Sequence, residues 1–489
     1  MNKFLRILLI LNFSVLGGAC FRAEIANAQI VYTFEVVDRV EVGPLNPEND
    51  PEILTIWPSI NDSGKVAYVS YEDTSVHGRI ILNNNGVLEK NFPIRGEAQA
   101  GDTVQVNDAD QVSFFRESLA LNPNSLPLIT EIIRLDTVDS GVPMGIGSLD
   151  PSITIDHFDL VTPWSSLNDQ GRVVMGADEF FSRIGDADDI TFLAARSDGV
   201  EDHAVSPTLP LVPDFPSFEF FTQLFPMTSN TNRTIVRMGA KPIDPVVLWL
   251  DATLRNHVTV ASRRQFNALG ELPGISDDGR VFGFMARDLS NVPGVYVATL
   301  NEFNLPVGFR IPFTMHPETN PNFRVGINHT GNGDPDSYRV VFFARDPGTR
   351  RLGIYSVDVY LRDPLAPLVD TPILLVEQDG TIGDFGVTVL RLDAYDPVNN
   401  NGQIVFWTRT GLSQAIIKAT PEPIAPGDIN GDKKVDISDA VFLLTYLFLG
   451  GRDPVSLALA DTNGDGDIDV SDAVYLLLFL FAGGSPPHA

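Results

Sequence analysis

The chain of 489 residues has a single cysteine, Cys20. No disulfide can form within it, so an exported domain must hold together by its apolar core and by bound ions. Basic residues are scarce too: 34 Lys and Arg stand against 63 Asp and Glu, a formal net charge of -29. That balance argues against nucleic acid and anionic membrane as partners, because phosphate contacts need Lys/Arg patches that are not apparent. Long apolar runs are missing, and none is long enough for a transmembrane segment in the mature chain. Familiar catalytic signatures are absent: there is no nucleophile elbow, no His-Glu-x-x-His and no glycine-rich phosphate loop. The seven histidines, His77, His157 and His257 among them, are scattered without ligand spacing. A glycosidase needs two carboxylates placed across a sugar, and in a chain this acidic no pair stands out. The catalytic residues, if there are any, are unknown at this level.

What is present begins with an export signal. Lys3 and Arg6 precede an apolar run from Ile7 to Val15, and Ala26-Asn27-Ala28 offers a small-x-small cleavage site. Residues 1–28 therefore read as a secretory signal peptide, with the mature chain starting at Gln29 and the protein secreted. The alternative is a lipoprotein anchored through Cys20, with Gly17 where an aliphatic residue is expected.

From 29 to 420 a degenerate unit recurs: a short polar turn, then an apolar strand. The copies are INDSGKVAYVS from Ile60, VNDADQVSFF from Val106, LNDQGRVVMGA from Leu167, SNTNRTIVRMGA from Ser229, ISDDGRVFGFMA from Ile275, INHTGNGDPDSYRVVFFA from Ile327 and VNNNGQIVFWT from Val398. Each is followed by a second strand, such as GRIIL from Gly78 or GVYVA from Gly294. Asn-Asp-x-Gly turns flanked by β-branched and aromatic residues are hairpin chemistry. Spacings of 46 to 71 residues give room for four short strands per copy. Seven such units predict a seven-bladed β-propeller, with a β-sandwich array as the alternative, and the strand from Gln29 would complete the last blade.

The four tryptophans (Trp57, Trp164, Trp249, Trp407) fall at regular places in the repeat, which favours blade packing. Repeat acids such as Asp62, Asp108, Asp169 and Asp278 read as turn formers. Proline-rich insertions at Glu201 to Phe221 and Leu361 to Pro372 are expected as loops on a ligand face. Pro421, Pro423 and Pro426 suggest a stiff linker over 421–426.

The C-terminal part, 427–489, is the most specific. DINGDKKVDISD from Asp428 and DTNGDGDIDVSD from Asp461 repeat at a spacing of 33 residues, with oxygen-bearing side chains at loop positions 1, 3, 5, 9 and 12. That spacing is how a tight loop collects the six to eight oxygens Ca2+ takes. Two ions are predicted, one held by Asp428, Asn430, Asp432, the Lys434 carbonyl, Asp436 and Asp439. The other would be held by Asp461, Asn463, Asp465, the Asp467 carbonyl, Asp469 and Asp472. Position 6 favours glycine; Gly466 supplies it in the second loop and Lys433 does not in the first, so the first site should be weaker.

Each loop runs into an apolar helix, AVFLLTYLFLGG from Ala440 and AVYLLLFLFAGG from Ala473, with Gly450 and Gly483 as C-caps. These helices either pack on each other or leave an apolar face for a partner. The segment from 427 to about 487 resembles a type I dockerin, the doubled loop-helix module that plugs into cohesin receptors. The resemblance implies a small all-α calcium-binding domain whose partner choice is read at loop positions 10 and 11. These are Ile437 with Ser438 and Val470 with Ser471, where many cellulosomal dockerins carry Ser or Thr in place of Ile and Val. The upstream repeats resemble those of uncharacterised secreted bacterial proteins, which carries no activity.

The expectation is thus a secreted calcium-binding protein with a mainly β propeller and a dockerin-like module. The module would bind a cohesin-like protein or self-associate, and the propeller would bind a ligand such as polysaccharide. Alternatives are a glycoside hydrolase, acting on O-glycosyl bonds in polysaccharide catabolism, and a C-terminal module that serves only as a calcium-dependent stability cap.

Overall fold

In the computed structural model the described residues are 30–44, 54, 57–71, 78–84, 87–93, 98–118, 129–137, 140–148, 160–180, 189–197, 203–205, 225–238, 245–301, 303–331, 334–365, 367–382, 388–423, 425–432, 434–451, 454, 457–465 and 467–488. The expected signal peptide, Cys20, His77, His157, Lys433, Gly466 and most of the expected Glu201–Phe221 insertion lie outside them. The chain divides into two compact units, Ile30–Pro423 and one carrying Ile424–Ala489.

The first unit contains seven antiparallel sheets among the described residues, in chain order, and is a seven-bladed β-propeller. Blade 1 is typical: Ser59–Ile60, Val66–Tyr71, Gly78–Asn84 and Val87–Pro93 pair in sequence. The strand after each turn is apolar without alternation, and the reason is that both its faces are covered. Val66 to Val69 are all buried, as are Val281 to Ala286 and Ser337 to Ala344. Facing blades share cores, such as Ala67, Val69, Ile80 and Leu82 of blade 1 against Val104, Phe114, Ile133 and Leu135 of blade 2. Each such side chain fully withdrawn from water contributes about 1.5–3 kcal/mol.

The turns themselves are set by backbone sign. The fourth turn residue has φ of +78° at Gly64, +75° at Gly171, +69° at Gly279, +77° at Gly331 and +68° at Gly402. Where glycine is absent the same place is taken by Asp110 (φ +59°) and Asn232 (φ +61°), residue types that tolerate this region best after glycine.

Blade 7 is built from both ends of the unit: Val389–Asp393, Ile404–Thr410 and Ser413–Pro423 are joined by Ile30–Glu41 as the outer strand. The ladder runs from Ile30 opposite Pro423 to Glu41 opposite Ser413 and slips by one residue between Val36 and Asp38. The extra residue, Val37, is buried with Leu54, Ile60 and Trp407 in the core between blades 7 and 1. The bulge thereby turns one more apolar side chain into the closing seam.

This strand corrects the expected linker, since Pro421 and Pro423 belong to it. Proline cannot donate to a ladder, but pairing with Ile404–Thr410 ends at Ala419, and beyond it only the N-terminal strand is alongside. Of the second expected insertion, Leu368–Val369 forms a short strand on Leu352–Tyr360.

The second unit holds helices α1 (Ile437–Leu449), α2 (Leu457–Ala460) and α3 (Val470–Ala482). Ala440, Leu443, Ala473 and Leu476 meet with Ile429 and Ala460 in its core. Both long helices start three residues earlier than the apolar runs suggest, because Asp436 and Asp469 are N-caps with full capping boxes. Each box stabilises its helix by about 1 kcal/mol. Gly450 and Gly483 end them in the left-handed conformation, at φ +66° and +70°.

Candidate functional site

The two acidic loops share one hydrogen-bond frame. Asp428 Oδ1 accepts from Gly431 N at 2.9 Å, and Asp461 Oδ1 from Gly464 N at 2.8 Å. Asn430 and Asn463 each accept from the backbone two residues on at 2.8 Å and donate to Ser438 and Ser471 Oγ at 2.8 Å. Asp432 and Asp465 accept from Lys434 N and Asp467 N at 3.0 Å. Asp439 and Asp472 close the loops through Oδ2, accepting from Asp436 N and Asp469 N at 2.9 Å, while Oδ1 accepts from Asn430 N (3.0 Å) and Asn463 N (3.2 Å).

These two closing carboxylates are fully buried, and burial holds both above the ordinary carboxylate range against their backbone bonds. Asp436 and Asp469 lie below it because Ser438 and Ser471 donate to them. No Lys or Arg pairs with Asp439 or Asp472 among the described residues. Buried carboxylates without a cationic side chain, in a loop of hard oxygen donors, fit a calcium ion. No group of three or more His, Cys, Asp and Glu side chains is gathered as a metal site among the described residues. What the loops share is therefore the hydrogen-bond frame. The positive-φ glycines described in them are Gly431 and Gly464, at loop position 4.

In the propeller the repeat turns meet at one mouth of the central axis. The first turn residue makes its own turn and reaches the next blade. Asn399 Nδ2 donates to Asn61 O (2.7 Å), Asn61 to Asn107 O (3.0 Å), Asn107 to Asn168 O (2.9 Å) and Asn168 to Ser229 O (2.9 Å). The second turn residue receives the next link: Asn400 N donates to Asp62 Oδ1 (2.7 Å), Asp62 N to Asp108 Oδ1 (2.8 Å), Asp108 N to Asp169 Oδ1 (2.8 Å) and Asp169 N to Asn230 Oδ1 (2.9 Å).

So Asp62, Asp108 and Asp169 are inter-blade acceptors more than turn formers. Asp277 is their counterpart in blade 5. Asp278, grouped with them on sequence, instead makes its own turn, accepting from Ser276 Oγ (2.6 Å) and Arg280 N (2.9 Å), and binds Tyr338 OH (2.6 Å). The recurrence of Asp, Asn or His at the second turn position was the available signal.

Within this rim lies a small cavity of about 40 Å3, lined by the Asn and Asp side chains of the turns with Ile60, Val106, Leu167, Ile275, Ile327 and Val398 beneath them. Gln105 crosses the axis, donating to Asp396 Oδ2 of blade 7 (3.3 Å) and accepting from Leu167 N of blade 3 (2.5 Å). Burial pushes Asp277 up to about 8, with Asp62, Asp169 and Asp396 adding to it and the Asn328 amide opposing. Asp108 rises to about 6 through burial and the charges of Asp62 and Asp169. Asp396 also rises to about 6, through burial that Arg324 partly offsets. Trp407 is buried and Trp57 packs on Tyr395 at 5.6 Å, so neither is a sugar platform. His257 begins an outer strand of blade 4, away from the mouth.

Comparison with known proteins bears on the C-terminal unit, where the model of the dockerin type I domain matches residues 426–478. The C-terminal module is type I dockerin-like. A search of the curated proteins finds none that matches the chain. Solved structures similar to it include an oligogalacturonate lyase in complex with manganese, at 9% identity and TM-score 0.46, over 81% of this chain and 97% of that one. The β-propeller domain of the trilobed protease from Pyrococcus furiosus has 12% identity and TM-score 0.43, over 75% and 96%. A GH74 xyloglucanase from Xanthomonas campestris has 9% identity and TM-score 0.38, over 78% and 74%. Likeness this weak says nothing of activity or ligand.

Dockerin domains bind calcium, and their partners are of the cohesin type. In this dockerin module Leu443 and Leu476 are buried, while Ile437 and Val470 are 54% and 49% exposed and Val441 and Val474 are 55% and 48% exposed. Phe448 and Phe481 are exposed at the far ends of the same helices. The helices therefore both pack on each other and keep a second apolar face. Among the described residues no helix is long and apolar enough to cross a membrane.

Proposed function

We propose that this is a secreted protein whose dockerin module folds around two calcium ions and docks it to a cohesin-type partner, while the propeller binds a ligand, with polysaccharide the class to try first. The observation that carries the docking claim is the pair of apolar helix faces, Ile437-Val441-Phe448 and Val470-Val474-Phe481, exposed at matching places in both copies. Exposed apolar residues repeated in register mark an interaction surface more readily than scattered ones.

Asp428, Asn430, Asp432, Asp436 and Asp439 would hold one ion with the Lys434 carbonyl. Asp461, Asn463, Asp465, Asp469 and Asp472 would hold the other with the Asp467 carbonyl. Bound calcium would neutralise the buried carboxylates and fix the entry of each helix, which sets the angle at which the two apolar faces are presented. Export is supported by the N-terminal signal-like segment, and dockerin-containing proteins are typically extracellular.

The test is capture of full-length protein by a panel of immobilised cohesins in calcium and in chelator, repeated with Ile437→Asp combined with Val470→Asp. Calcium-dependent capture that falls at least tenfold in the double variant is expected. Capture equal with and without calcium, or none from any cohesin, would remove the docking claim and leave a calcium-dependent stability cap. New reducing ends released from a polysaccharide panel would make the propeller a hydrolase; binding without cleavage agrees with the ligand reading.

A further inference from the structure

We propose that the mouth of the propeller is a proton-operated clasp, in which Asp277 joins blade 5 to blades 6 and 7 and, on ionising, loosens the mouth by adding a like charge to the acids that face it. Asp277 Oδ2 accepts from Asn328 Nδ2 of blade 6 at 3.0 Å and from Asn400 Nδ2 of blade 7 at 2.7 Å. The same Asn400 amide donates to Asp62 Oδ2 of blade 1 at 2.8 Å. One asparagine thus bridges two carboxylates at the propeller mouth.

The ring is short of donors. Asn400 Oδ1 is a buried acceptor without a partner among the described residues. A proton on Asp277 adds a donor where acceptors crowd, and removes one of several like charges.

The groups that face Asp277 are nearly all acidic: Asp62 from blade 1, Asp169 from blade 3 and Asp396 from blade 7. Asp108 of blade 2 faces Asp62 and Asp169 in turn. The basic groups nearby are His329 of blade 6, which lies 3.5 Å from Asp278, and Arg324, which acts on Asp396. Neither His329 nor Arg324 forms a salt bridge to Asp277.

The sign follows from an acid held above its unfolded value near 4. Its stabilisation is present in full below that value and is lost as pH rises through about 8, the position to which burial and its neighbours lift Asp277. The clasp should be shut in mildly acidic surroundings and loose in alkaline ones.

The experiment is the thermal midpoint of the propeller in the full-length protein, with calcium in excess, from about pH 5 to about pH 9. The wild type should lose several degrees as pH rises from about 5 to about 8 and level off above it. Asp277→Asn, which keeps an oxygen acceptor and cannot ionise, should show a clearly flatter profile. An equal slope in both proteins overturns the proposal. Should the variant fail to fold, the infrared carbonyl band of a protonated carboxyl group decides it in the unmodified protein. That band must persist at neutral pH and disappear near pH 8; its absence at neutral pH is equally fatal.

Discussion

Replacing Asn399 measures what the ring of turns contributes at the seam where the last blade meets the first. Its Nδ2 donates to Asn61 O at 2.7 Å, and its Oδ1 accepts from Asn401 N at 3.1 Å and Gln403 N at 2.9 Å. Asn399 is 2% exposed, so water does not readily replace these bonds. Asn399→Asp keeps the acceptor that shapes the turn and loses the donor to blade 1, along with the bond of the same Nδ2 to Gln403 Oε1 at 2.9 Å. A buried carbonyl left without its donor costs about 1–3 kcal/mol. Asn399→Ala also loses the two turn bonds, each worth about 1 kcal/mol, and should cost about 3–5 kcal/mol in all. The assay is urea unfolding of the full-length protein in calcium, following the propeller transition. An Asp variant with the wild-type midpoint and slope would show that the inter-blade bonds do not hold the ring closed, and the reasoning would fail.

Gly402→Ala should cost about 1 kcal/mol for a side chain at φ +68°. Its Cβ would also collide with Arg339 Nη1, costing about 1–3 kcal/mol of overpacking, since Arg339 is fixed by Asp358 at 2.8 and 2.9 Å. Gly411→Ala meets nothing within 4 Å and should unfold like the wild type, so thermal scans of the two check the difference. Asp472→Ala removes the α3 capping box, about 1 kcal/mol, together with a proposed ligand. Calorimetric titration should then show one calcium site fewer, and an unchanged isotherm would reassign the loop.

Much of this was legible in the sequence because it is local. The Asn-Asp-x-Gly turn needs a left-handed fourth residue whatever surrounds it, so seven copies announced seven blades. The strand after Gln29 could be placed because a ring with one strand missing must find it elsewhere. The dockerin-like module was legible because its loop pattern is set within twelve residues of chain and repeats once.

What was hidden depends on contacts between distant residues. The acceptor role of Asp62 toward Asn400 joins residues 338 apart and exists only once the ring closes. Asp278 was grouped with Asp62 because Ser276 replaces asparagine at the first turn position and both following residues are aspartate. Pro421 and Pro423 looked like a spacer because one-sided pairing at the end of a strand leaves no mark in the sequence. The start of each helix inside the acidic loop was missed for a related reason: an aspartate that could ligate an ion is also the best cap.

The most direct test of the whole account is differential scanning calorimetry of residues 29–489 in calcium and in chelator. Two transitions are predicted, with the one belonging to the dockerin module lost on chelation and the propeller's unmoved. A single transition, or a pair that ignores calcium, would contradict a calcium-folded module carried beside an independent propeller.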